Sequence, residues 1–180
     1  MVRDILLWPD PLLAKKAASV DAVDSAVQAL IRDLFETMYA APGVGLAAPQ
    51  VGVLRQVLVL DTRARQPESR ALAMVNPRIL ERFGTTSYKE GCLSIPGEAE
   101  EVERAERVTV AYLDENGEPQ TLLCEGLLAI AVQHETDHLA GVVYPDRLSP
   151  LTRILMRKRM RARKQERSLL RPSVQLGDEL

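Results

Sequence analysis

From Leu122 to Ala140 the chain reads as an apolar run, and its C-terminal half carries Gln133-His134-Glu135-Thr136-Asp137-His138, an H-E-x-x-H motif. On a helix, residues four apart stand on one face, so His134 and His138 can offer ring nitrogens to one metal ion with Glu135 beside them. A divalent ion polarises a carbonyl and acidifies the water it holds. A neighbouring glutamate can take that water's proton and deliver it to a leaving amine. The plain alternative is a helical histidine pair making ordinary polar contacts; the intervening glutamate and the apolar helix behind it favour a catalytic metal. His134 and His138 are the only 2 histidines in 180 residues, so a third protein ligand has to be Cys, Asp or Glu.

Two cysteines compete for that place. Together with the histidines, Cys92 and Cys124 would close a Cys2His2 structural zinc site. Cys124 falls at or near the start of the helix, and at a rise of about 1.5 Å per residue it stands about 15 Å from His134, too far to share an ion. Cys92, flanked by Glu90-Gly91 and Leu93-Ser94, lies on a distant piece of chain that can cross the helix. Three protein ligands leave a position for water, which is the catalytic arrangement.

A chain of 180 residues with 46% hydrophobic content fits one domain with a sizeable core. The net charge of -2 argues against nucleic-acid binding by the molecule as a whole, DNA included. Neither a signal-peptide pattern nor a membrane-length apolar segment is present, so a cytoplasmic chain with reduced thiols is expected.

Pro9-Asp10-Pro11 predicts an extended N-terminal arm followed by a turn or short helix. After Asp24, a candidate N-cap, Val27, Leu30, Ile31, Leu34 and Met38 recur at helical spacing to about Ala41, where Pro42 and Gly43 end the helix. Gly43-Val44-Gly45-Leu46-Ala47-Ala48-Pro49-Gln50 matches G-x-G-x-x-A, with Asp61 near the place of a ribose-binding acid. That fingerprint requires strand, tight turn and helix, whereas here a helix precedes the glycines and an apolar strand, residues 56–60, follows. Small residues instead let another backbone come close, with Gln50 donating into the space, or else form a tight loop with Gln50 exposed.

Further strands are expected at 72–76 and 78–82, after a polar and mobile connection over 63–70. A hairpin is expected around Asn116-Gly117, from 107–113 to 119–123. The metal helix begins near 124–126 and stops at Gly141, a candidate C′ residue. Leu127, Ile130 and Ala131 on the His134 face are equally core residues and the wall of an apolar pocket. This order of elements argues for an α+β fold, antiparallel sheets packed around a central metal-binding helix, with a C-terminal helix. Ser149-Pro150 supplies the N-cap and N1 of that last helix. Between Leu151 and Arg167 it holds eight Lys/Arg against one acid, a local +7 that leaves -9 for the rest of the chain. Such a run is ordinarily a solvated face; it can also dock on phosphate. The expected unit is residues 1–168, including the basic helix 150–168, with 169–180 as a disordered tail.

The glycine-rich segment 43–50, Glu90-Gly91-Cys92-Leu93-Ser94 and Gln133-His134-Glu135-Thr136-Asp137-His138-Leu139 resemble, in order and spacing, the three signature motifs of the peptide deformylases. The resemblance extends from Arg3-Asp4-Ile5 to Pro145-Asp146-Arg147-Leu148. It implies a metal-dependent amide hydrolase that removes the formyl group from the N-terminal methionine of nascent chains. It further implies Cys92, His134 and His138 as ligands of iron(II), replaceable by zinc, nickel or cobalt, and Glu135 as general base and then acid. The Gln50 side-chain amide and the Leu93 backbone N–H become donors to the oxyanion. Gly43, Val44 and Gly45 then hold an extended peptide, with Val44, Leu127, Ile130 and Ala131 lining the methionine pocket. By the same resemblance Glu90 and Arg104 form a buried pair, and the basic C-terminal helix touches the ribosome. Ala99 and Ala131 replace an arginine and a cysteine found in some members. Two rival functions are an H-E-x-x-H endopeptidase, which generally takes His or a carboxylate as third ligand, and a ribosome-associated metal-binding module without turnover.

Overall fold

The computed structural model describes residues 1–170, with side chains through residue 165. Seven strands and three α-helices form: α1 (Ser25–Ala40), β1 (Gly45–Ala47), β2 (Val57–Leu60), β3 (Leu72–Phe83), β4 (Thr86–Cys92), β5 (Ile95–Arg104), β6 (Arg107–Leu113), β7 (Pro119–Glu125), α2 (Gly126–Leu139) and α3 (Pro150–Leu170). One antiparallel sheet has the order β1-β2-β3-β6-β7, and β4 and β5 pair as a separate hairpin. The antiparallel β1-β2 pairing excludes the dinucleotide reading of the glycine loop, which needs parallel strands around a crossover.

The period-2 alternation of side chains explains how both helices use the larger sheet. Val57 and Val59 of β2, with Ala73 and Val75 of β3, face Leu30, Ile31, Leu34 and Met38 of α1. Leu58 and Leu60, with Leu72 and Met74, face Leu128, Ala129, Val132 and Leu139 of α2. Both sides of β2 are therefore buried, which is why it reads as an unbroken apolar run. Toward the β4-β5 hairpin α2 turns His134 and Asp137, which bond Glu90 and Arg104, and His134 lies beside Tyr144 of a third cluster that also holds Trp8, Ile95, Val102, Met156 and Met160. Helix α2 is thus the central element.

Local signals are realised closely. Asp24 caps α1 by accepting from Val27 N at 2.9 Å, and Asp10 caps the short turn Pro11–Ala14 through Leu12 N at 3.0 Å. At the end of α2, Gly141 (φ +76°) donates to the His138 carbonyl and Val142 to that of Asp137, the paired bonds of a Schellman motif. Ser149 Oγ accepts from Thr152 N at 3.2 Å to open α3. That helix runs two residues past the expected boundary at 168, since nothing before Pro172 interrupts it. The rest of the expected tail, residues 171–180, lies outside the described residues.

Elsewhere the structure departs from the sequence pattern. The two strands expected at 72–76 and 78–82 are one strand that bulges at Asn76-Pro77. Asn76 takes φ +50°, and its side-chain amide exchanges bonds of 2.8 and 2.7 Å with the Val20 backbone, offsetting the ladder bonds lost at the bulge. The polar connection over 63–70 is anchored through Gln66, whose Oε1 accepts from Leu128 N at 3.2 Å in the first turn of α2. Strand β5 was not among the expected elements.

Candidate active site

Helix α2 carries His134 and His138 one turn apart, and β4 ends in a bulge at Gly91/Cys92 that delivers the cysteine against them. Cys92 Sγ lies 3.3 Å from His138 Nε2, and one ligand atom from each of Cys92, His134 and His138 falls within 4.8 Å of the others. A thiolate and two imidazoles at this separation are the donor set of a four-coordinate metal with one open position. Cys124 is buried in the main core, where burial pushes its thiol up to about 12. Among the described residues its sulfur is not part of the converging ligand group, which argues against the closed Cys2His2 arrangement.

Charged partners orient the histidines. His134 Nδ1 lies 2.7 Å from Glu90 Oε2, which fixes the ring and turns Nε2 toward the site. Glu90 is held in turn by Arg104 through bonds of 2.6 and 3.0 Å, as the family resemblance implied. Arg104 continues to Asp137 at 2.6 Å, and Asp137 to Arg147 at 2.6 and 2.7 Å. Burial opposes charge on His134, but hydrogen bonds with Cys92 and Glu90 outweigh it and hold the ring well above its ordinary value. His138 is held well below its ordinary value by burial and by the neighbouring His134, which keeps it in the neutral, ligating form.

Glu135 is 5% exposed, and burial pushes its carboxyl up to about 7. Its Oε2 is buried with no hydrogen-bond partner among the described residues. A Cβ built on Gly45 would meet Glu135 Oε1 at 2.5 Å, so the glycine exists at this position to let the carboxylate lie against the backbone. Gln50 is 1% exposed, which overturns the exposed-loop alternative. Its Oε1 accepts from Ala47 N at 2.8 Å, leaving Nε2 to point at Ser94 Oγ (3.2 Å) and Cys92 Sγ (3.5 Å).

One cleft of about 690 Å³ gathers Gly43, Val44, Gly45, Gln50, Cys92, Leu93, Leu127, Ile130, Ala131, His134 and Glu135 in its walls. His138 completes the ligand group beneath it. β1 lies at one edge of the sheet, with β2 as its sole strand partner among the described residues.

Several participants escaped sequence reasoning. Asp137 and Arg147 extend the Glu90–Arg104 pair, and the Tyr144 ring centroid lies 6.2 Å from that of His134. The N-terminal arm joins the first two motifs, Leu6 N donating to Gln50 O at 2.8 Å and Trp8 N to Ser94 O at 2.9 Å. Asp137 stood inside the motif, in a position whose residue type the H-E-x-x-H pattern leaves open.

Comparison with known proteins decides the family. A family model, polypeptide deformylase, matches residues 2–154. The chain belongs to the peptide deformylase family. It is 50% identical over 149 residues to the peptide deformylase of Aquifex aeolicus, covering 82% of this chain and 88% of that one. Against peptide deformylase 2 of Xanthomonas campestris the identity is 48% over 159 residues, 87% and 92% of the two chains. The crystal structure of a Legionella pneumophila peptide deformylase superposes with a TM-score of 0.87 at 43% identity, over 93% of this chain and 98% of that one. A peptide deformylase of Ehrlichia chaffeensis in complex with actinonin gives 0.86 at 37% identity, over 92% and 98%. The family's reaction is this chain's: metal-dependent hydrolysis of the N-formyl group from formyl-methionyl nascent polypeptides, releasing formate. The endopeptidase and turnover-free readings are set aside. Among the described residues no helix is long and apolar enough to cross a membrane.

Proposed function

We propose that Cys92, His134 and His138 hold iron(II) as the native ion, with zinc, nickel or cobalt able to substitute, and that Glu135 is the base and then the acid of deformylation. The observation that carries this reading is the buried Glu135 carboxylate beside a Cys/His/His group whose ligand atoms converge within 4.8 Å. When bound, the cation supplies Lewis acidity toward the formyl oxygen and toward water. The remaining roles belong to the chain. Glu135 takes the proton of the attacking water and returns it to the departing amine. Gln50 Nε2 and the Leu93 backbone N–H donate to the oxygen that becomes negative as the formyl carbon turns tetrahedral.

The peptide lies along β1 as an added strand, held by Gly43, Val44 and Gly45, a role that the unpaired edge of β1 supports. Its methionine side chain enters the apolar wall of Val44, Leu127, Ile130 and Ala131. Catalysis belongs to a single unit, residues 1–168, acting in the cytoplasm. The matching experiment is formate release from formyl-Met-Ala-Ser by anaerobically purified protein reconstituted with iron(II), nickel or zinc. Release is expected with each ion and none after chelation; stoichiometric metal binding without formate from any form refutes the reading. At equal free concentration zinc displaces iron from such a site, so the aerobically purified protein is expected to carry zinc.

Ribosome contact is proposed for the outer face of α3. Arg157, Lys158 and Arg161 are exposed and have no ion pair among the described residues, Arg157 lying over the Trp8 ring at 5.2 Å, whereas Arg159 is paired with Glu98. A triple Arg157→Gln, Lys158→Gln, Arg161→Gln variant is expected to lose co-sedimentation with ribosomes at low salt while deformylating free peptides at the parent rate. Undiminished co-sedimentation would sink this assignment.

A further inference from the structure

Helix α3 enters the fold by one face. Met156 and Met160 are fully buried in the cluster that also holds Ile95 and packs against Cys92. The same face, at helical spacing, carries Arg159 and Arg163. Both reach the start of β5. Arg159 bonds the Glu98 carboxylate at 2.7 and 3.1 Å, and Arg163 Nη1 lies 3.1 Å from Glu98 Oε1 and donates to the Pro96 carbonyl.

Between those anchors the Arg163 guanidinium covers Gly97. A Cβ built there would meet Nη1 at 3.0 Å and Cζ at 3.3 Å, and Gly97 holds φ +76°. The Glu98 side chain is only 9% exposed although it sits at the protein surface, because the two guanidinium groups close over it.

Pro96, Gly97 and Glu98 line the catalytic cleft. They supply no metal ligand, no base and none of the apolar wall assigned to methionine. A glycine at positive φ next to an exposed proline is a permissive piece of chain, and between the β4-β5 pairs Cys92–Ile95 and Gly91–Ala99 it is held by two side chains of α3.

We propose that Arg159 and Arg163 are positioning residues for deformylation, fixing Pro96–Glu98 as the cleft wall that receives the peptide downstream of formyl-methionine. The inference rests on the proposed placement of the substrate in this cleft. A loose wall must be ordered at the moment of binding, and that ordering subtracts from affinity. The charge and geometry of the reacting centre are untouched. The effect therefore falls on KM, and it grows with peptide length.

The test compares formyl-methionine amide with formyl-Met-Ala-Ser in the full-length, metal-loaded protein. An Arg159→Ala, Arg163→Ala variant is expected to raise KM for the tripeptide by about three- to tenfold and leave kcat within about twofold. For the amide, KM stays at the parent value, and metal content is unchanged. Glu98→Gln, which loosens the same anchor without altering α3, raises the tripeptide KM in the same sense by a smaller factor. Arg159→Lys, Arg163→Lys recovers part of the loss, since an ammonium still pairs with Glu98 but lacks the fork that also reaches Pro96. An unchanged tripeptide KM, an equal rise for both substrates, or a fall in kcat with loss of metal overturns the proposal. If the parent protein itself releases formate from neither substrate, the failure lies with the assigned reaction centre instead.

Discussion

Glu135→Gln is expected to keep the metal and lower kcat for formate release by about 10²- to 10⁴-fold, the range over which a positioned base or acid acts. The substitution preserves volume, so the contact with Gly45 and the packing of α2 remain. What disappears is the ability of one buried oxygen to accept a proton. Oε2 has no hydrogen-bond partner among the described residues, so an amide there neither breaks an existing bond nor gains one. Cys92, His134 and His138 are untouched, and metal stoichiometry measured by atomic spectroscopy should equal the parent's. A variant that retains more than about a tenth of the parent kcat removes Glu135 from the role of base.

Arg104→Leu is expected to destabilise the protein by about 3–5 kcal/mol, the usual consequence of removing one member of a buried ion pair. Arg104 has a side chain 2% exposed and stands between Glu90, 3% exposed, and Asp137, 16% exposed. Without it, Glu90 loses its arginine partner inside the fold, and Asp137 keeps only the exposed Arg147. Glu90 also orients His134, so metal affinity is expected to fall by about 10- to 100-fold. Thermal unfolding of the metal-free proteins measures the first effect, and titration with a competing chelator measures the second. Arg147→Ala is the internal control. Its side chain is 42% exposed and bonds the same Asp137, so its loss is expected to be about 1 kcal/mol or less. Equal destabilisation by the two variants would show that burial of the pair is not what matters.

The convergence of Cys92, His134 and His138 was legible because the residue types were scarce: two histidines, two cysteines, and a helix geometry that disqualified Cys124. Caps and turns were legible for a similar reason, since Asp24, Asn116-Gly117, Gly141 and Ser149-Pro150 each act on their own neighbours. Strand β5 was hidden. Glu98, Glu100, Glu101 and Glu103 give it an acidic composition that reads as loop, and it forms a two-stranded hairpin in which Ile95 and Val102 supply the buried apolar contacts. The bulge at Asn76-Pro77 was hidden because its compensation comes from Val20, 56 residues away. The division of α3 was hidden too: a run of arginines looks uniform until Glu98, 61 residues earlier in the chain, singles out Arg159.

The contact between Gly45 and Glu135 bears on how such an enzyme can evolve under an inhibitor that occupies the cleft. A frequent escape is to grow a side chain into the space the intruder uses. At Gly45 that route is obstructed, because the first carbon added would lie 2.5 Å from the carboxylate oxygen and 2.9 Å from two carbons of the same side chain, so Glu135, the proposed base, would have to move. With Glu135 as the proposed base, a substitution that expels the inhibitor here is expected to weaken the reaction as well. Selection for resistance is therefore directed to other parts of the cleft wall.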